Sequence, residues 1–149
     1  MSRKNANKIP AESASMPLPN ATFMDRFETQ ELLQRDELAK AGLLIELGQL
    51  ADEMQVQQQS ISRAVKEQRI FSLHGASGQL LYPAFFAAQE LDRRQVQKVS
   101  RALGDLPGAS KWQFFITPKV SLKGKTALEA LENGDLESVL IAAAGFLES

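Results

Sequence analysis

The stretch Gln57-Gln58-Gln59-Ser60-Ile61-Ser62-Arg63-Ala64-Val65-Lys66 gathers side chains that can read and grip a polyanion. Gln amides and the Arg guanidinium hydrogen-bond bidentately to base edges, while Ser hydroxyls and the Lys ammonium suit phosphate oxygens. Ile61, Ala64 and Val65 recur at helical intervals, which predicts a helix buried along that line. Gln57, Gln58, Gln59, Ser60, Ser62, Arg63 and Lys66 are then left as candidate DNA contacts. A solvated face of an ordinary helical hairpin has a similar composition, so the elements that position these residues must decide between the two readings.

The first such element lies just upstream. Leu50, Ala51 and Met54 fall on one face of a preceding helix, and Ala51 is small where two helices must cross closely. Val56 is expected to plug the turn between the helices. The segment from Leu50 to Arg63 resembles the "LA-x-x-hydrophobic-x-V-S-Q-Q-x-V-S-R" core of bacterial helix-turn-helix regulators. Gln55 stands where that pattern usually has Gly, and a left-handed backbone at a residue with a Cβ costs about 1 kcal/mol.

A second positioning element follows. In Arg69-Ile70-Phe71-Ser72-Leu73-His74, Phe71 and Leu73 alternate with polar residues as in a half-buried strand. Gly75-Ala76-Ser77-Gly78 has the length of a hairpin loop, and Gln79-Leu80-Leu81-Tyr82-Pro83 returns, ended by a proline that cannot donate to a ladder. A hairpin directly after a recognition helix is a wing, so residues 43–83 are predicted to form a winged helix-turn-helix domain. His74 on this hairpin either faces solvent or touches phosphate.

Upstream, Thr22 is placed to cap a helix through Phe23, Phe27, Leu32, Leu33 and Leu38 to a stop at Gly42, coated by Glu28, Glu31, Arg35, Asp36 and Lys40. Its sparse apolar stripe over residues 21–42 suits packing either on a second subunit or on the chain's own helix-turn-helix. Residues 1–20 are rich in Ser, Asn, Ala and Pro, carry Arg3, Lys4 and Lys8, and read as a flexible basic arm. The arm either touches DNA phosphate or is an idle tail.

The bulk composition narrows the classes further. A chain of 149 residues with 44% hydrophobic content has room for one domain or two small ones. No Cys is present, which excludes disulfides, zinc fingers and thiol chemistry and fits a reducing cytoplasm. No apolar run is long enough to span a bilayer, and no apolar segment of a secretory signal follows the basic start. The net charge is only −1, but its distribution is uneven: residues 129–149 hold Glu129, Glu132, Asp135, Glu137 and Glu148 and no base. A chain basic at one end and acidic at the other can hold DNA with one part and a different partner with the other.

The second half, residues 84–149, reads as a small all-helical domain. Val96, Val99 and Leu103 line one face of a helix from Asp92 that Gly104 closes. Ser110 is placed to cap a short helix bearing Trp112, Phe114 and Phe115, which Pro118 ends; Trp112 and Phe115 are assigned to the core. Thr126 caps another, stopped at Asn133-Gly134. Asp135 caps the last, where Leu136, Val139, Leu140, Ala143 and Leu147 form an amphipathic stripe. Phe146 falls beside that stripe and suits an interface.

Several segments of this half together carry a resemblance: Leu81-Tyr82-Pro83-Ala84-Phe85, the spaced Trp112-x-Phe114-Phe115-x-Thr117-Pro118, Leu122-Lys123-Gly124-Lys125-Thr126 running on to Leu131, and Asn133-Gly134-Asp135-Leu136-Glu137-Ser138-Val139. With the helix-turn-helix before them, they make the chain from Leu43 onward similar to Xre/MbcA/ParS antitoxins. Ala127 stands where that family commonly has Pro, a change a helix start absorbs. The resemblance implies a type II antitoxin that represses its own operon through operator DNA. Its implied partner is a RES-type, NAD-degrading toxin, occluded by Phe146, Leu147, Glu148 and Ser149 at the end of the last helix. It also implies a homodimer or a larger hetero-oligomer with the toxin, in the cytoplasm.

Other chemistries find no support in the same residues. Gly124-Lys125-Thr126 looks like the end of a phosphate-binding loop, but Lys119 stands where that loop needs its first Gly. A single His, with no Cys, offers no metal cluster and no nucleophile–base pair, so neither enzyme activity nor a cofactor is expected. The alternative function is a stand-alone helix-turn-helix regulator whose C-terminal domain binds a ligand or another copy of itself.

Overall fold

The computed structural model describes residues 19 to 148. Among these the order is α1 (Pro19–Lys40), β1 (Leu44–Ile45), α2 (Leu47–Met54), α3 (Gln58–Lys66), β2 (Leu73–His74), β3 (Leu80–Pro83), α4 (Arg93–Ala102), α5 (Gly108–Ile116), α6 (Ala127–Glu132) and α7 (Leu136–Glu148). The protein is mostly helical with one small antiparallel sheet. The basic arm as far as residue 18, the side chains of Phe23, Phe27 and Glu28, and Ser149 lie outside the described residues.

Local chemistry sets most boundaries. Asp92 opens α4 by accepting from the backbone N–H groups of Arg94 and Gln95, at 2.9 and 3.3 Å. Thr126 and Glu129 form a reciprocal capping box at the start of α6, with bonds of 3.0 and 2.8 Å that satisfy two otherwise orphaned donors. Asp135 accepts from Ser138 N–H at 3.2 Å and opens α7. Pro118 has the predicted effect on α5: the residue before a proline is pushed out of the helical region, and Thr117 is extended.

Two predicted caps are displaced. Helix α1 begins at Pro19, so Thr22 sits within it rather than at its start; proline is pre-organised for the first helical turn. Helix α5 begins at Gly108 behind Pro107, a turn before the expected cap Ser110. Gly108 is pressed against the hairpin: a Cβ there would lie 2.0 Å from the Ser72 carbonyl oxygen. Only glycine lets α5 start at that point.

The sheet has the order β1-β3-β2. Leu73 and His74 pair with Leu81 and Leu80, as the predicted hairpin requires, although the first strand is only two residues long. A further strand, β1, carries no local signal in the sequence: Leu44 and Ile45 pair with Pro83 and Tyr82 on the other edge of β3. Both β1 residues are buried. Helix α1 straps the hairpin from behind: Arg35 Nη1 donates to the His74 carbonyl at 2.8 Å, and Asp36 Oδ1 accepts from Ala76 N–H at 3.3 Å.

A single hydrophobic cluster runs from Leu44 to Ala143. Its centre is aromatic. Phe71, just before β2, stacks on Phe115 of α5 and meets Phe86 edge-on, with centroids 6.0 and 5.4 Å apart. Phe85 stacks on Trp112 at 5.8 Å. Phe114 meets Phe115 and Phe146 edge-on at 5.8 and 5.3 Å, which brings in α7. Trp112 and Phe115 are core residues, as expected from the sequence. Helix α4 buries Val96 and Val99, with Leu103 just after it, and lies against α6, α7 and the 3-10 turn Ala84–Ala87.

Candidate nucleic-acid interface

Helices α2 and α3 pack through small, sharply divided faces. Leu50, Ala51 and Met54 are buried on α2, and Ile61 and Ala64 on α3, with Val65 half-buried. The turn between them closes at Gln55, whose φ of 59° and ψ of 45° are left-handed. Gln55 N–H donates to the Asp52 carbonyl at 3.2 Å and Val56 N–H to that of Ala51 at 3.0 Å, a double closure that satisfies the last carbonyls of α2. Val56 does not plug this turn. Its backbone is turned inward by that bond, and its side chain is 38% exposed.

The residues expected to contact DNA are brought together. Gln57, Gln58, Gln59, Ser60, Ser62, Arg63 and Lys66 are all exposed around α3. Gln58 leans back toward α2, its Nε2 lying 3.6 Å from where a Cβ on Gly48 would be. Arg63 and Lys66 form no ion pair among the described residues, and α3 carries no carboxylate. The next acid, Glu67, is taken up by Arg69, whose Nη2 lies 2.7 Å from its Oε1. The face therefore offers donors that are desolvated by nothing and neutralised by nothing.

Backbone strain brackets this helix. Gln68, just beyond its C-terminus, is also left-handed at φ 66°. A Cβ residue holds that conformation only where the surroundings impose it. At Gln68 the helix end itself supplies the closure, Gln68 N–H donating to the Val65 carbonyl at 3.0 Å and Arg69 N–H to that of Ala64 at 2.8 Å. Ser100 Oγ of α4 adds a bond to the Gln68 carbonyl at 3.1 Å. Two further bonds fix α4 to the same unit. Arg69 Nη1 donates to Gln97 Oε1 at 2.6 Å, and Arg93 Nη1 donates to the Met54 carbonyl at 2.9 Å, at the C-terminal end of α2. In the sequence, α4 shows only its core stripe; these long-range polar contacts carry no local signal.

The hairpin, whose second strand packs against α2, has little charge of its own. Gly75 N–H donates to the Gln79 carbonyl at 2.8 Å and closes the loop, and Gly78 turns it at φ +81°. Ala76, Ser77 and Gly78 at the tip are exposed, as are His74 and Leu80. His74 faces solvent with its side chain while its carbonyl is held by Arg35.

At the other end of the chain, α7 is anchored by Val139 and Ala143. Phe146 turns inward onto Phe114 and is half-buried, while Leu147 is 47% exposed, so the predicted stripe through Leu147 is corrected at its last turn. Glu148 is exposed. Ile141, at 66% exposure, and Ala144 continue an outward apolar face beside Leu140 and Leu136.

Two cations are not available to this surface. Lys119 Nζ donates to the carbonyls of Phe114 and Thr117 and sits 4.3 Å over the Phe114 ring; burial holds its pKa below the usual lysine value. Lys111 is buried, and its ammonium is likewise pushed down by burial, opposed by the Asp105 carboxylate. Among the described residues there is no cluster of His, Cys, Asp and Glu able to hold a metal ion, and no helix long and apolar enough to cross a membrane.

No family model, curated protein or solved structure matches the chain.

Proposed function

We propose that this chain is an operator-binding antitoxin, with α2, α3 and the hairpin acting as a winged helix-turn-helix and α7 engaging a partner toxin. One observation carries the DNA half. The outer face of α3 is rich in Gln, Ser, Arg and Lys, free of carboxylates and unpaired, while Ile61 and Ala64 hold the opposite face rigidly in the core. Side chains that discriminate bases must be displayed on a rigid element and must not already be satisfied within the protein. The order helix–strand–helix–helix–strand–strand and the β1-β3-β2 sheet support the winged form of the motif.

The toxin half rests on the resemblance of the C-terminal segments to Xre/MbcA/ParS antitoxins, and the outward apolar face of α7 supports it. Leu147 and Glu148 stand free for such a contact, and Phe146 presents only the part of its ring that Phe114 leaves uncovered. The RES-type, NAD-degrading partner and the repression of a shared operon belong to this proposal.

Selection of duplexes from a random library by the full chain tests the DNA half, with a pseudo-palindromic sequence as the expected product of a dimer. Recovery of no enriched sequence would end the reading. For the toxin half, the product of the adjacent reading frame is co-expressed with the chain, and cellular NAD and co-purification are followed. A neighbour that neither co-purifies nor depletes NAD would favour the stand-alone regulator.

A further inference from the structure

Helix α4 carries Arg93, Arg94, Lys98 and Arg101 and no carboxylate. Its residues divide by angle, at about 100° per residue. Val96 and Val99 face the core. Arg93, Gln97 and Ser100 fall on the next sector, and these are the residues that bond to the ends of α2 and α3. Arg94, Lys98 and Arg101 share the sector beyond that, within about 60° of one another. All three are exposed, and none forms an ion pair among the described residues. The acids at either end are engaged elsewhere: Asp92 caps the helix, and Asp105 acts on Lys111.

The stripe is tethered to the end of α3 through its neighbouring sector. Lys66 is followed two residues on by Gln68, whose carbonyl is bonded to Ser100, and Arg101 adjoins Ser100 in the chain. A second helix thus adds positive charge to that of Arg63 and Lys66, on the sector next to the one bonded to the helix pair.

We infer that Arg94, Lys98 and Arg101 of α4 form a second DNA contact, gripping the phosphate backbone beside the groove that α3 enters. Like charges left unpaired along one helix face raise the local positive potential, which attracts a polyanion. A duplex backbone is a polyanion of suitable length, and the tethers from α4 to α2 and α3 fix the stripe relative to the bases being read. This contact carries no sequence information; it sets register and adds counterion release. The inference rests on the proposed DNA binding by α3.

The test uses the full chain, a selected duplex and a duplex of scrambled sequence, titrated across salt concentrations. Three forms are compared with the wild type: Arg94→Gln/Lys98→Gln/Arg101→Gln, Arg63→Ala, and Lys123→Gln/Lys125→Gln as a control for net charge on the exposed loop before α6. Each phosphate contact contributes about 0.9 to the slope of log affinity against log salt. The triple variant should flatten that slope by about 2 to 3 on both duplexes and keep the sequence preference. Arg63→Ala should instead lose preference, and the control should change neither. All substituted side chains are exposed, so melting temperatures should stay near the wild-type value, and a matched melt is required of each variant. An unchanged slope in the triple variant, with Arg63→Ala still losing preference, overturns this inference alone and assigns the stripe to an acidic protein partner. An equal slope change in the control overturns it too, since net charge and not contact would then be responsible. A wild-type chain that binds neither duplex removes the proposed function together with the inference.

Discussion

Helices α3 and α7 are anchored alike and finished differently. Each is pinned by two fully buried residues, Ile61 and Ala64 on one, Val139 and Ala143 on the other. Outward, α3 presents amides and cations without an acid, whereas α7 presents Ile141, Ala144 and Leu147 between Glu137 and Glu148 without a base. The inner pair fixes the helix and says nothing about partners. The outer face selects them: hydrated donors suit a polyanion, and an apolar strip rimmed by acids suits a protein surface with apolar and basic groups.

The largest expected effect breaks both helices together. Phe114 is fully buried and touches Phe115 and Phe146, so Phe114→Ala should cost about 3–5 kcal/mol in denaturant unfolding. Because one core joins the two helices, loss should occur in a single transition; separate transitions for the two regions would show that they are independent. Next come the faces. Arg63→Ala should weaken operator binding by about 1–3 kcal/mol and leave toxin binding alone. Ile141→Asp should do the reverse, at about 2 kcal/mol on the toxin complex. Symmetrical losses in both assays would sink the division of labour.

Smaller effects sharpen the account of what holds the helices. Thr126→Ala removes the capping box of α6, against which α7 packs, and should lower stability by about 1 kcal/mol. Gln55→Gly relieves the left-handed turn before α3 and should raise stability by at most about 1 kcal/mol, read as a higher melting temperature. The slightest effect is a slope. Burial holds the Lys111 pKa below 10.5, so as pH rises between the folded value and 10.5 the unfolded chain keeps the proton that the folded one loses. Stability then rises with pH across that window. Lys111→Met should make this rise shallower, leaving the share that the similarly lowered Lys119 contributes, measured as the difference from wild type.

Much of the candidate interface is legible in the sequence because its causes are local. The buried set Leu50, Ala51, Met54, Ile61 and Ala64 follows from helical spacing, and the turn at Gln55 follows from the interval between the two helices. The caps at Asp92, Thr126 and Asp135 are likewise decided within three residues. What escapes sequence reading depends on distant partners. Strand β1 is two residues long and acquires its identity only from β3. Phe146 and Leu147 are neighbours whose inward and outward fates are decided by Phe114. Val56 is hydrophobic, yet it is left exposed at a turn that the backbone bonds of Gln55 and Val56 close without it. The basic sector of α4 acquires meaning only when Gln68, Arg69 and Met54 are seen to fasten that helix to the other two.

Strand β1 also bears on the order of folding. Leu44 pairs with Pro83 and Ile45 with Tyr82, so the two ends of the segment holding α2, α3 and the hairpin are clasped side by side. Bringing such distant ends together costs loop-closure entropy, which the short pairing cannot offset until the intervening helices have shortened the chain between them. The hairpin and the helix pair, whose contacts are local, should therefore form before the clasp. Substitutions in β1 should then speed unfolding far more than they slow refolding, making these two residues a latch on the native state rather than part of its nucleus.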